Sequence, residues 1–326
     1  MSFNTISPRI TAIQSNYIEG AIYPNHFNQI YIFGDSLSDP GNLFSITQGE
    51  IPASPSYPQQ RFSNGLVWSE YFAAKFGLSP KPFAHSLACE DGINFAVGGA
   101  TTGKTNINGA TYPSLQQQLD AFITPLHQTH QRANPSALYI LWAGANDYLG
   151  GNITDPAIPI ANLSQSIQAL YQVGARYILV LNLPELGDTP LAHNNEAINP
   201  TQLNQLSHAH NTLLKTTLEQ LRQSLTGIEL GLMDIRALFK MAIANPEQLG
   251  LKNVTDSCQI VACLRPEQYL FWDQLHPTTA AHQIIAETVF SALQLSSQSC
   301  HKSITSKDAG NKLAVVEAFL LNQRRA

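Results

Sequence analysis

The chain has 326 residues, 44% of them apolar and 13% charged, an ordinary globular composition long enough to bury a full core in one α/β domain. Its 18 Lys+Arg against 23 Asp+Glu give a net charge of −5, and no Lys/Arg run builds a phosphate-binding stripe, which speaks against a nucleic-acid partner. No apolar run reaches the ~18 residues of a membrane-spanning helix, and Met1 to Glu19 lacks an apolar signal core. A cytoplasmic location is therefore the default, replaced by a secreted or periplasmic one if a signal has been removed.

Residues 1–25 are polar and irregular and read as an N-terminal arm. Gln29 to Phe33 is a short apolar run closed by Gly34, the pattern of a buried strand. Leu37 to Asn64 is rich in Pro, Ser, Gly and Gln without a period, and loops of that length commonly shape a binding cleft. The spacing predicts a helix from Leu66 to Phe76 stopped by Gly77, then a strand at Ile93–Val97 ended by Gly98-Gly99. A helix over Pro113–His130 and a strand over Ala137–Ala143 follow, then a helix around Ala161–Val173. Tyr177 to Leu183 is apolar almost without a break, as in a strand covered on both faces. Leu203 to Leu225 carries one leucine stripe, Ile228 to Met233 reads as a fifth strand, and Asp234 is placed to cap a helix through Ala244. The last long helix begins after His276-Pro277, with Ala281, Ile284, Ile285, Val289 and Leu293 facing inward.

Strands alternating with helices predict a three-layer α/β/α sandwich around a parallel, flavodoxin-like sheet of about five strands, in a domain spanning residues 26–295. Residues 296–326 read as a linker and a short amphipathic helix over Lys312–Gln323. Of the four cysteines, Cys258 and Cys263 are close enough to bridge, and two reduced thiols fit the spacing equally well. No Cys or His set has zinc spacing; His208 and His210, two apart on a helix, cannot share a face. No metal or cofactor is expected.

In open parallel sheets, ligands gather beyond the carboxyl ends of the strands, and four short motifs fall there. Gly34-Asp35-Ser36-Leu37 would expose a serine hydroxyl at the end of the first strand, although all three leading residues also favour plain turns. In Gly98-Gly99-Ala100, glycine lets a backbone N–H approach a ligand. In Gly144-Ala145-Asn146-Asp147, the Asn146 amide can donate to an oxyanion or merely cap a helix. In Asp273-Gln274-Leu275-His276, a carboxylate three residues before an imidazole can hold its Nδ1 and leave Nε2 free as a base.

In this order the four blocks resemble those of the GDSL family in the SGNH-hydrolase superfamily. Ser38-Asp39-Pro40-Gly41-Asn42, Arg61-Phe62-Ser63-Asn64-Gly65 and Tyr269 to Thr278 are similar to its longer plant and bacterial branch. The resemblance runs from about Ile30 to Leu293. It implies a Ser36–His276–Asp273 triad and an oxyanion hole of Ser36 N–H, Gly99 N–H and the Asn146 side chain. It also implies a carboxylic ester as substrate, a small molecule or a lipid. Acyl transfer to an alcohol by the same residues is the alternative, and a silent ester- or glycan-binding member is a third. The anchored autotransporter subclass, which carries an outer-membrane barrel after the domain, is not expected. Oligomeric state is not readable from the chain.

Overall fold

The computed structural model describes residues 17–20, 22, 27–85 and 90–295. Most of the expected N-terminal arm, the whole tail beyond 295, Cys89 and Cys300 lie outside the described residues. The central sheet is built from β1 (Ile18–Glu19), β2 (Ile30–Gly34), β3 (Lys81–Pro82), β4 (Ile93–Asn94), β5 (Leu138–Trp142), β6 (Tyr177–Leu181) and β7 (Glu229–Met233). Their spatial order is β1-β7-β6-β5-β2-β4-β3, parallel except for β1, which pairs antiparallel with β7. The sheet therefore has seven strands where the sequence suggests about five. The extra two are two-residue edge strands, too short to show any period.

The alternation along β5 sorts the two cores. Leu138, Ile140 and Trp142 pack on one face with α2 (Trp68–Ala74), α8 (Ile235–Ala244) and α9 (residues 279–295). Tyr139 and Leu141 pack on the other with α3 (Leu115–Gln128), α5 (Ala157–Val173) and α7 (Pro200–Ser224). All five β5 side chains are buried, so each contributes the ~1.5–3 kcal/mol expected of a large apolar group removed from water. Buried indoles are satisfied: Trp68 Nε1 donates to Ser38 Oγ and Trp142 Nε1 to the Asn182 carbonyl.

Three helices of five residues each were not signalled by the sequence: α1 (Asn42–Ile46), α4 (Ala145–Leu149) and α6 (Pro190–Asn194). Helices this short have no stability of their own, and tertiary hydrogen bonds hold them. The Asp39 carboxylate collects the N–H groups of Gly41, Asn42 and Leu43 at the start of α1, and Gly98 N–H as well. A separate two-stranded parallel ladder, β8 (Asn253–Ser257) with β9 (Tyr269–Phe271), leads into α9. Beside it Cys258 and Cys263 are joined by a disulfide, their Cα atoms 4.9 Å apart.

The topology places the site. The chain leaves β2 for β3 and β4 on one side, then crosses back to β5 on the other. Strand order reverses at β2, the position at which a parallel sheet opens a crevice beyond its carboxyl ends. The segments after β2, β4 and β5 therefore lie side by side.

Candidate active site

Ser36 sits on the turn after β2. The Gln118 side chain brackets Gly34, accepting from its N–H at 2.9 Å and donating to its carbonyl at 2.8 Å. Asp35 Oδ1 accepts from Leu37 N–H at 3.0 Å, closing the turn. Burial of the Asp35 carboxyl raises it from 3.8 to about 7, against the Leu37 N–H bond and nearby His276, which both favour the anion.

The segment between β9 and α9 brings Asp273 and His276 to this serine across 240 residues of sequence. His276 Nε2 lies 2.8 Å from Ser36 Oγ, and His276 Nδ1 lies 2.7 Å from Asp273 Oδ2. Asp273 Oδ1 accepts from the backbone N–H groups of Leu275 and His276 at 2.7 and 2.6 Å, which locks the carboxylate. Burial opposes charge on both partners, but each is outweighed by the other. Asp273, with the His276 ring and those N–H groups against it, falls to about 2. His276, facing Asp273 and, farther off, Asp35, is raised above the ordinary imidazole value.

Asn146 is the second residue of α4 and 4% exposed. Its Nδ2 donates to the Ala100 carbonyl at 3.1 Å, linking the turn after β5 to the turn after β4. It does not cap the helix: the N-cap is Gly144, at φ +131. A Cβ there would press on the His210 ring, 2.7 Å from Cε1, so this glycine is required by space as well as by φ. Gly99 has φ +78, and the side chains of Asn106 and Asn108 fill the volume a Cβ would take. Ser36, Asn146 and His276 line one cleft, together with Leu37, Leu186, Phe239, Ile243, Phe271 and Leu275. Gly99 is set back from that wall, one residue from the carbonyl that Asn146 holds.

The remaining residues of the motif stretches support these turns. Asp147 binds the Thr102 hydroxyl and N–H, Asn94 Nδ2 donates to the Ser38 carbonyl, and Arg61 pairs with Glu70 of α2. Sequence reasoning missed Tyr57, whose hydroxyl donates to Asp273 Oδ2 at 2.7 Å, and Glu185, which lines the cleft and pairs with Arg236 and Lys240. Tyr57 sits in the aperiodic 37–64 stretch, where no spacing marks it. His208 and His210 diverge as expected: His208 is exposed, while His210 is buried with Nδ1 against the Tyr148 hydroxyl at 2.9 Å. Burial holds His210 and His282 well below the ordinary imidazole value, at about 3.

A serine hydroxyl, an imidazole and a carboxylate stand in line at the carboxyl edge of a parallel α/β sheet, the geometry of a Ser-His-Asp triad. The family model described as GDSL-like Lipase/Acylhydrolase matches residues 30–289, and the chain belongs to that family. It is 30% identical over 314 residues to a phosphatidylcholine-sterol acyltransferase of Aeromonas hydrophila, covering 80% of this chain and 88% of that one. It is 28% identical over 289 residues to a thermolabile hemolysin of Vibrio parahaemolyticus, covering 82% of this chain and 64% of the hemolysin. A GDSL esterase/lipase of Arabidopsis thaliana is 28% identical over 317 residues, covering 80% of this chain and 87% of that one. Among solved structures, a lipolytic G-D-S-L protein of Veillonella parvula matches with a TM-score of 0.43 at 14% identity, covering 82% of this chain and 98% of the other. Among the described residues, no helix is long and apolar enough to cross a membrane, and no three His, Cys, Asp or Glu side chains group to hold a metal.

Proposed function

We propose that the protein is a serine carboxylic-ester hydrolase working through a covalent acyl-Ser36 intermediate. The observation that carries this reading is the continuous Asp273–His276–Ser36 hydrogen-bonded line, at 2.7 and 2.8 Å, opening on a mainly apolar cleft. His276 Nε2 takes the Ser36 proton as Oγ attacks the ester carbonyl, and Asp273 stabilises the imidazolium that forms. The tetrahedral oxygen is held by Ser36 N–H, Gly99 N–H and the Asn146 amide, each worth ~3–4 kcal/mol by analogy with measured holes. His276 then protonates the leaving alcohol. Water, activated by the same imidazole, attacks the acyl-enzyme, and the acid departs with Ser36 restored.

Lined by Leu186, Phe239, Ile243 and Phe271, the cleft suits an acyl chain, whether of a small ester or of a lipid. Transfer of the acyl group to an alcohol in place of water is the second reading, supported by the likeness to an acyltransferase over most of both chains. The Cys258–Cys263 bridge favours an oxidising compartment over the cytoplasm. A panel of nitrophenyl and lysophospholipid esters, assayed with and without added alcohol, tests both readings. Release of free acid supports hydrolysis, and accumulation of a new ester supports transfer. Inactivity on every ester would overturn both.

A further inference from the structure

We propose that Tyr57 is a positioning residue: by donating to Asp273 it restrains the basicity of His276 and ties it to the 47–64 loop. The proposal rests on the reading of His276 as the general base. Tyr57 Oη donates to Asp273 Oδ2 at 2.7 Å, the oxygen that also receives His276 Nδ1 at 2.7 Å. With Leu275 N–H and His276 N–H on Oδ1, the carboxylate carries four donors, about as many as its lone pairs accept. Tyr57 and His276 therefore share one oxygen, and charge drawn toward the phenol is charge not offered to the imidazole.

The loop is latched to the catalytic segment at more than this point. The residue before Asp273, Trp272, donates its indole N–H to the carbonyl of Ser56, the residue before Tyr57. The Phe62 ring lies 5.1 Å from the His276 ring and 6.1 Å from the Tyr57 ring, so Tyr57, Phe62, His276 and Asp273 close a circuit. Burial and the adjacent carboxylate keep the phenol protonated as a donor.

Other groups act on His276 as well. Asp35 faces it from the turn after β2, itself influenced by Asp147 of α4, and His282 acts from α9. Glu185, Asp188 and Lys240 line other parts of the cleft. None of these shares an oxygen with Nδ1. Tyr57 alone among the described side chains competes with His276 for Asp273 Oδ2.

Removing the phenol should therefore leave more carboxylate charge for the imidazolium, so that His276 holds its proton to higher pH. The test is Tyr57→Phe, which keeps the ring and deletes the donor. Two readouts are compared with wild type: the acid limb of kcat/KM on a nitrophenyl ester, and the NMR titration of the His276 ring, assigned by its loss in His276→Asn. Both should move up by roughly half a unit to one unit, the scale of a charge-assisted hydrogen bond spread over two partners. An unmoved or lowered titration in a folded Tyr57→Phe protein would overturn the proposal and reduce Tyr57 to loop packing. Should that variant fail to fold, Trp272→Phe releases the Ser56 latch while keeping the phenol. It should shift the titration the same way, and an unmoved value would again overturn the proposal. The NMR readout needs no turnover, so failure of the ester-hydrolase reading, seen as inactivity of the wild-type protein on every ester, is distinguished from failure of the Tyr57 assignment.

Discussion

Asn146 offers the sharpest separation of structure from chemistry, because its amide has two N–H groups and the structure gives one of them to Ala100. Asn146→Ala removes both at once. The structural cost is the Ala100 carbonyl, left without its 3.1 Å donor in a site where Asn146 is 4% exposed. A buried acceptor stripped of its partner costs ~1–3 kcal/mol, a fall of a few degrees in melting temperature for a domain of this size. The chemical cost is the proposed oxyanion bond of the second N–H, Asn146 lining the same cleft as Ser36 and His276. Loss of one oxyanion donor lowers kcat ~10²–10³-fold. KM should change little, because the oxygen carries full charge only near the transition state. Calorimetry and steady-state kinetics on the same purified variant read both costs. Asn146→Asp sharpens the contrast: the side chain keeps its size but turns an acceptor toward the Ala100 carbonyl, and both losses should grow. A variant destabilised as expected yet within two-fold of wild-type kcat would refute the oxyanion role and leave Asn146 as a strut between two turns.

Three further outcomes follow from the same geometry. Ser36→Ala should cost ~10⁴-fold or more in kcat with the fold retained, since among the described residues the hydroxyl's one partner is His276 Nε2; a variant keeping a tenth of the activity ends the nucleophile assignment. The acid limb of kcat/KM should fall above pH 6.5, because the Asp273 carboxylate outweighs burial and raises His276, and only the neutral ring accepts the Ser36 proton; a flat profile from pH 8 to pH 5 rules out a histidine base. Asp35→Asn should stabilise the protein at pH 8 and not at pH 3.5. Burial raises the Asp35 carboxyl from 3.8 to about 7, so the native state loses stability as pH rises through that interval, by up to ~4 kcal/mol, and an amide escapes the loss. Equal melting shifts at both pH values would show that Asp35 is not held as the acid.

The parts of this protein that could be read from the chain are those whose signal is local. Leu138–Trp142 and Tyr177–Leu181 announce themselves because a strand covered on both faces must be apolar at every position. Helix α7 shows because its inward stripe of Leu203, Leu214, Leu218 and Leu221 extends over about five turns. Asp273 and His276 show because a three-residue spacing already brings a carboxylate under an imidazole. What tertiary structure decided is everything that depends on long-range closure. The helices α1, α4 and α6 are five residues each, below the length at which propensity alone forms a helix, and distant partners hold them: Asn42 Nδ2 donates to the Asn94 and Ala96 carbonyls, Asn146 and Asp147 bind Ala100 and Thr102, and Leu191 N–H donates to the Gln274 carbonyl. Strands β1 and β3 have two residues apiece and acquire strand geometry only from the neighbours they pair with. Tyr57 is 216 residues from Asp273, in a stretch with no period, and nothing in its surroundings distinguishes it from Tyr112 or Tyr171. A contact between a loop and a distant carboxylate leaves no trace in spacing, because its partners are brought together by the sheet's strand order and not by the turn of a helix or the pleat of a strand.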